Sequence, residues 1–171
     1  MTTPLLSQIS RQRKLRLLQR YLGANDSILE VGAGSGWFTS HLRRQGYQVT
    51  ALDLQEPADV IGDINQWSTL KLEAHSFDVI IALEVIEHVD CLEALCALCK
   101  PDGLILLSSP HPHWDWLMQS MEALHLTQKR TSPHTNLTDF GCIPLLAEIK
   151  QRPLGIHQVA LFRNRALDNR V

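Results

Sequence analysis

The sequence predicts a doubly wound α/β domain: a mostly parallel sheet with helices on both faces and an antiparallel hairpin at its C-terminal side. Three observations predict it. Short, nearly continuous apolar runs alternate with segments of helical spacing, as in strands buried on both faces of a parallel sheet. The first apolar run opens directly into a glycine-rich turn, Gly32-Ala33-Gly34-Ser35-Gly36. Towards the C-terminal side, two strand-like runs flank Pro153-Leu154-Gly155, the signature of a hairpin.

The elements follow in order. Leu5, Leu6, Ile9, Leu15, Leu18 and Leu22 recur near helical spacing and predict a first helix, closed by Gly23 and Asn25-Asp26. Ser27 to Val31 is a buried strand, Ser35 to Gln45 a helix closed by Gly46, and Gln48 to Leu52 a second strand ending at Asp53. A loop region with Pro57 and Gly62-Asp63-Ile64 leads to the strand Phe77 to Leu83. Val89 to Lys100 is a helix stopped by Pro101-Asp102-Gly103, and Leu104 to Ser108 is the next strand. Trp114 to Leu124 can form a helix, and Leu137 to Ile149 is read as another, disturbed by Gly141 and Pro144. Ile149 to Arg152 and Ile156 to Phe162 complete the hairpin at the sheet edge.

A length of 171 residues suits one domain with a sizeable core. No apolar run reaches the length of a membrane span, and the N-terminal stretch lacks the layout of a signal peptide. A cytoplasmic location is the expectation. Net charge is −2, yet Arg11, Arg13, Lys14, Arg16 and Arg20 gather in the first 25 residues without an acid. They form the solvated face of the first helix, or a docking surface for an anionic partner or membrane surface. The overall charge argues against a dedicated nucleic-acid binder.

Ligands of doubly wound sheets bind at the carboxyl ends of the strands, where Gly32, Gly34 and Gly36 stand. A dinucleotide fingerprint needs its third glycine at position 37, which is Trp37. The Gly-Lys-Ser/Thr ending of a P-loop is absent. Glu30 would repel phosphate and suits a cationic amine instead. Asp53, 23 positions further on, can accept both hydroxyls of a ribose. Asp63 can accept from an exocyclic amine while the backbone of Ile64 meets the ring edge. Amine, ribose and adenine together describe S-adenosylmethionine.

The ordered segments "LEVGAGSG", "ALDL", "GDI", "FDVIIALEVIEHV" and "CKPDGLILLSSP" resemble the successive motifs of class I S-adenosylmethionine-dependent methyltransferases. "LEVIEHV" is similar to the ubiquinone-biosynthesis O-methyltransferase branch. The resemblance covers about Ile28 to Pro110 and implies a Rossmann-like fold. It also implies roles. Glu30 would hold the methionine amine, directly or through water, and Gly32, Ala33, Gly34 and Gly36 would let the backbone lie against methionine and ribose. Asp53 would bind the ribose, Leu54 would cover an adenine face, and Asp63 and Ile64 would meet the adenine edge. Leu83 and Glu84 would border the methionine end. On this reading residues 1–26 form a leading helix, 27–109 the cofactor-binding half and 110–171 the substrate side of a single domain.

Methyl transfer from a sulfonium needs alignment and exclusion of water, and a hydroxyl or amine acceptor gains from a base. His88, His111 and His113 are the base or substrate-contact candidates. "HTNLTDF", from His134 to Phe140, matches the family's substrate-side histidine region only loosely. Asp78 at the start of its strand is read as structural. Cys96-Ala-Leu-Cys99 has zinc-like spacing, but both cysteines fit one apolar helix face and no second such pair exists, so neither a metal nor a disulfide is expected. The short leading segment offers no large lid, which suggests an open site, a large substrate or a completing partner. The acceptor is a small or lipid-linked molecule methylated on oxygen, nitrogen or carbon. The alternative is a cofactor-binding but inactive homologue serving as a partner or scaffold; a nicotinamide enzyme is disfavoured by Trp37.

Overall fold

The computed structural model describes residues 5–110, 140, 143, 146–154 and 157–165. Helix α1 spans Leu5–Leu18, strand β1 Ser27–Val31, helix α2 Trp37–Arg44, strand β2 Gln48–Asp53 and the short strand β3 Val60–Ile61. Strand β4 spans Phe77–Leu83, helix α3 Leu92–Leu98, strand β5 Cys99–Pro110, strand β6 Leu146–Leu154 and strand β7 His157–Asn164. They build one seven-stranded sheet in the order β3-β2-β1-β4-β5-β7-β6. The first five strands run parallel, and β7 pairs antiparallel with both β5 and β6. The doubly wound mixed sheet with its C-terminal hairpin is therefore as expected.

Strand order reverses between β1 and β4, because β2 and β3 extend one way and β5 the other. A crevice opens at such a switch point. Alternation along β4 divides the core into two layers. Ile80 and Ala82 pack with Leu95 and Leu98 of α3, while Val79 and Ile81 pack with Leu15 and Leu18 of α1 and Phe38 and Leu42 of α2. Both faces of the central strands are dry, which explains why their sequences are nearly continuous in apolar residues.

The strand starts are tied by Asp78, whose Oδ2 accepts the N–H and hydroxyl of Ser27 at 3.0 and 2.8 Å. Its Oδ1 accepts from Lys100 Nζ at 2.7 Å. Burial works to raise this carboxyl, but the bonds from Lys100 and Ser27 outweigh it and hold it at about 2. The structural reading of Asp78 agrees with these contacts.

Several boundaries differ from expectation. Helix α1 stops at Leu18 and residues 19–21 form a turn, with Gly23 N–H donated to Asp26 at 2.7 Å. Strand β3 is only two residues long and gives no readable period. Helix α3 ends at Leu98, so Cys99 is a strand residue and does not continue the helix face of Cys96. Leu146 to Ile149, expected as the end of a helix, belongs to β6; the ladder to β7 overrides the local helical period. The rest of that expected helix, apart from Phe140 and Ile143, lies outside the described residues, as does Trp114 to Leu124.

Candidate functional site

The glycine turn leaves β1 at the crevice. Gly32, Gly34 and Gly36 have φ of 70, 52 and 67°, a left-handed region that residues with a Cβ occupy at a cost. Gly32 has a second reason to lack a side chain: an added Cβ would lie 2.4 Å from Val85 Cγ2. The turn is pinned from β2, since Leu52 O accepts from Gly32 N–H at 2.8 Å. Gly36 then stands at the N-cap of α2. Trp37 follows; its ring stacks on His41 with centroids 5.3 Å apart, and Arg11 of α1 lies 5.6 Å from its centroid.

Glu30 lies beneath this turn, 5% exposed. Its Oε2 accepts the hydroxyl of Thr39, a buried residue of α2. Burial pushes its carboxyl up to about 7, against the lowering effect of the Thr39 bonds. The group is thus poised between its two charge states near neutral pH, where an arriving cation would favour the carboxylate.

Asp53 stands at the end of β2 beside the turn. Its Oδ2 accepts Gly34 N–H at 2.7 Å and its Oδ1 accepts Gln55 N–H at 3.2 Å. Each oxygen retains a lone pair for a hydroxyl. Leu54, next in line, is 70% exposed, and an exposed leucine at a crevice rim offers a flat apolar face. Asp63 accepts Asn65 N–H at 2.9 Å and caps the 3-10 turn Ile64–Gln66, while Ile64 is buried. Asp53 and Asp63 are both drawn to the β2–β3 edge, because Asp53 O accepts Gly62 N–H at 2.9 Å.

Across the crevice, β4 ends at Leu83 and the backbone turns. Glu84 has a φ of 59°, a left-handed geometry uncommon for a residue with a side chain. Its Oε1 accepts from Lys14 Nζ at 2.7 Å and from Ser108 Oγ at 2.6 Å, and Lys14 also donates to Ser108 at 2.8 Å. Glu87 is buried nearby, its carboxyl pushed up to about 8 by burial and by the charge of Glu84. His88 lies in the turn between β4 and α3, its N–H donated to Val85 O at 2.9 Å. It does not open a helix, since α3 begins four positions later. His111, His113 and His134 lie outside the described residues.

Lys14 corrects the expectation of a uniformly solvated basic face. It is 6% exposed, while Arg13, Arg16 and Arg20 face solvent. The signal was invisible locally, because its partners lie 70 and 94 positions away. Cys91, Cys96 and Cys99 are free and buried, and burial pushes their thiols up to about 12, 11 and 12. Among the described residues no cluster of three His, Cys, Asp or Glu could hold a metal ion, and no helix is long and apolar enough to cross a membrane.

The sequence and the fold are similar to those of known proteins. A family model described as a methyltransferase domain matches residues 6–142. The chain is 32% identical over 133 residues to a ubiquinone biosynthesis O-methyltransferase of Yersinia enterocolitica, covering 66% of this chain and 55% of that one. A second such enzyme, from Nitrosococcus oceani, is 36% identical over 104 residues, covering 50% of this chain and 44% of its own length. The chain thus spans about half the length of the curated relatives it matches. Among solved structures, a protein of Pyrococcus horikoshii OT3 superposes with a TM-score of 0.69 at 18% identity, covering 92% of this chain and 91% of that one. The N-methyltransferase NodS of Bradyrhizobium japonicum WM9, solved with S-adenosylhomocysteine, superposes with a TM-score of 0.65 at 18% identity, covering 94% and 88%. The glycine turn between Glu30 and Asp53, on this strand order and under this family match, makes the chain a member of the methyltransferase-domain family of class I, S-adenosylmethionine-dependent type.

Proposed function

We propose that this chain binds S-adenosylmethionine across the β1–β4 crevice and transfers its methyl group to an oxygen acceptor. The carrying observation is the left-handed glycine turn flanked by buried Glu30 and by Asp53, whose carboxylate closes on Gly34. Glu30 supplies negative charge for the amine of the methionine end, directly or through water. Asp53 accepts the ribose hydroxyls with its remaining lone pairs, Leu54 covers one adenine face, and Asp63 with the Ile64 backbone meets the adenine edge. Leu83 and Glu84 border the methionine end.

Oxygen as acceptor rests on the relatives, which are named O-methyltransferases. When bound, the cofactor supplies a sulfonium methyl whose transfer is an in-line displacement. The chain's task is to align an acceptor oxygen with it and exclude water. His88, in the turn after β4, is a candidate to hold the acceptor's proton; His111 and His113, which follow β5 in the sequence, are offered for the same role.

Calorimetry tests the reading. S-adenosylhomocysteine should bind at least about tenfold more tightly than NAD, a difference of about 1.4 kcal/mol. Equal or tighter binding of NAD would sink it. Turnover of labelled S-adenosylmethionine against a panel of phenols, amines and activated carbons then identifies the acceptor atom.

A further inference from the structure

Alternation along β4 sends Ile80 and Ala82 to the α3 face of the sheet. Continued in extended form, the same alternation would send Glu84 there too. Instead, at Glu84 the φ is 59° and the carboxylate meets Lys14 of α1 and Ser108, which shares the α1 face of β5 with Leu104 and Leu106. A left-handed non-glycine residue persists only where its surroundings enforce it. Here the enforcement is visible: a buried ammonium and a buried hydroxyl converge on one carboxylate oxygen, and Glu84 N–H is held by Ser108 O at 2.8 Å. The residue that follows, Val85, is the one whose methyl fills the space denied to a Gly32 side chain. A continuous chain of contacts thus runs from α1 through Glu84 and Val85 to the first glycine of the turn.

We propose that Lys14 is a positioning residue for the methionine end of the cofactor site, holding Glu84 in the turn that seats Val85 against Gly32. The inference rests on the cofactor reading given above. Lys14 itself touches no ligand; it acts through the backbone after β4. A purely structural lysine would affect stability without a specific path to the glycine turn.

Calorimetry with S-adenosylhomocysteine separates these roles. Lys14→Met should weaken binding about five- to tenfold, within the range of coupling carried through packed networks. Lys14→Gln, which keeps a donor without the charge, serves if the methionine variant does not fold, and should show a loss of the same direction. With Val85→Ala already in place, Lys14→Met should add less than about twofold, because the two changes lie on one path. Leu18→Ala, in the core of the same helix, should lower the thermal midpoint and leave affinity within about twofold. Unchanged affinity in both Lys14 variants overturns the proposal, as does a full additional loss on the Val85→Ala background or an equal loss in Leu18→Ala. Failure of the unaltered protein to bind S-adenosylhomocysteine would instead remove the cofactor reading itself, and this inference with it.

Discussion

Gly34 donates its backbone N–H to Asp53 Oδ2 at 2.7 Å, so the acid at the end of β2 closes the glycine turn. If the same carboxylate accepts the ribose, Asp53→Ala removes both functions. It should weaken S-adenosylhomocysteine binding by about 1.5–3 kcal/mol, the range for hydrogen bonds to a charged group. Asp53→Asn, which keeps an acceptor for Gly34, should lose less. An unchanged dissociation constant in the alanine variant places the ribose elsewhere.

Glu30 carries a pH signature. Its carboxyl is raised by burial to about 7, so below about pH 7 the free protein holds a proton there that a bound amine would displace. Affinity for S-adenosylhomocysteine should therefore rise as pH is taken from about 5.5 to about 7.5, and Glu30→Gln should flatten the rise. The ligand-free protein responds in the opposite sense. A folded-state value above the unfolded one gives stability that is full below about 4.5 and lost as pH passes about 7. Matched pH series of calorimetry and thermal melts check both directions, and a flat affinity profile removes Glu30 from the amine.

Gly32 and Gly34 should respond differently to alanine. Both are left-handed, but a Cβ at Gly32 meets Val85 Cγ2 at 2.4 Å, whereas at Gly34 it meets nothing within 4 Å. Backbone strain alone costs about 1–2 kcal/mol, and the overlap at Gly32 adds about 1–3 kcal/mol more. Denaturant titration should rank Gly32→Ala well below Gly34→Ala, with Val85→Ala recovering part of the Gly32→Ala loss. Equal stabilities would mean that Val85 yields without cost.

Asp78 ties three strand starts together and should matter in acid. Its carboxyl is held at about 2, where Lys100 and Ser27 outweigh burial. The stability it confers is present above about 4 and lost as pH falls through about 2. Asp78→Ala should destabilise the protein by about 1–3 kcal/mol at neutral pH. It should also reduce the fall in thermal midpoint between about pH 4 and pH 2.5. A variant as stable as the parent would show that Lys100 and Ser27 find other partners.

The central strands were readable because each is buried on both faces, so Ser27–Val31 and Phe77–Leu83 stand out as apolar runs with the observed bounds. The glycine turn was readable because three glycines at alternate positions mark left-handed backbone locally. Strand β3 was not, since two residues carry no period. The burial of Lys14 and the left-handed turn at Glu84 were not readable because they depend on each other across 70 positions of sequence. Nothing near Glu84 announces a left-handed residue, as a glycine would have. Cys99 fitted a helix face by spacing, but the ladder to Phe77 claims it for a strand. Local pattern records burial well; it does not record which distant group turns a side chain inward.

Among the described strands β7 comes last in sequence, yet it lies inside the sheet, between β5 and β6. During synthesis the whole parallel half can assemble while β5 still presents an open edge. That edge closes only after Asn164 has cleared the ribosomal tunnel, because β7 pairs with β5 from Leu104 to Pro110. Until then a strand from a neighbouring nascent chain could occupy the same groove. The order of translation thus leaves a short interval in which the newborn protein has an unpaired edge at β5, and that interval ends when its own β6–β7 hairpin arrives.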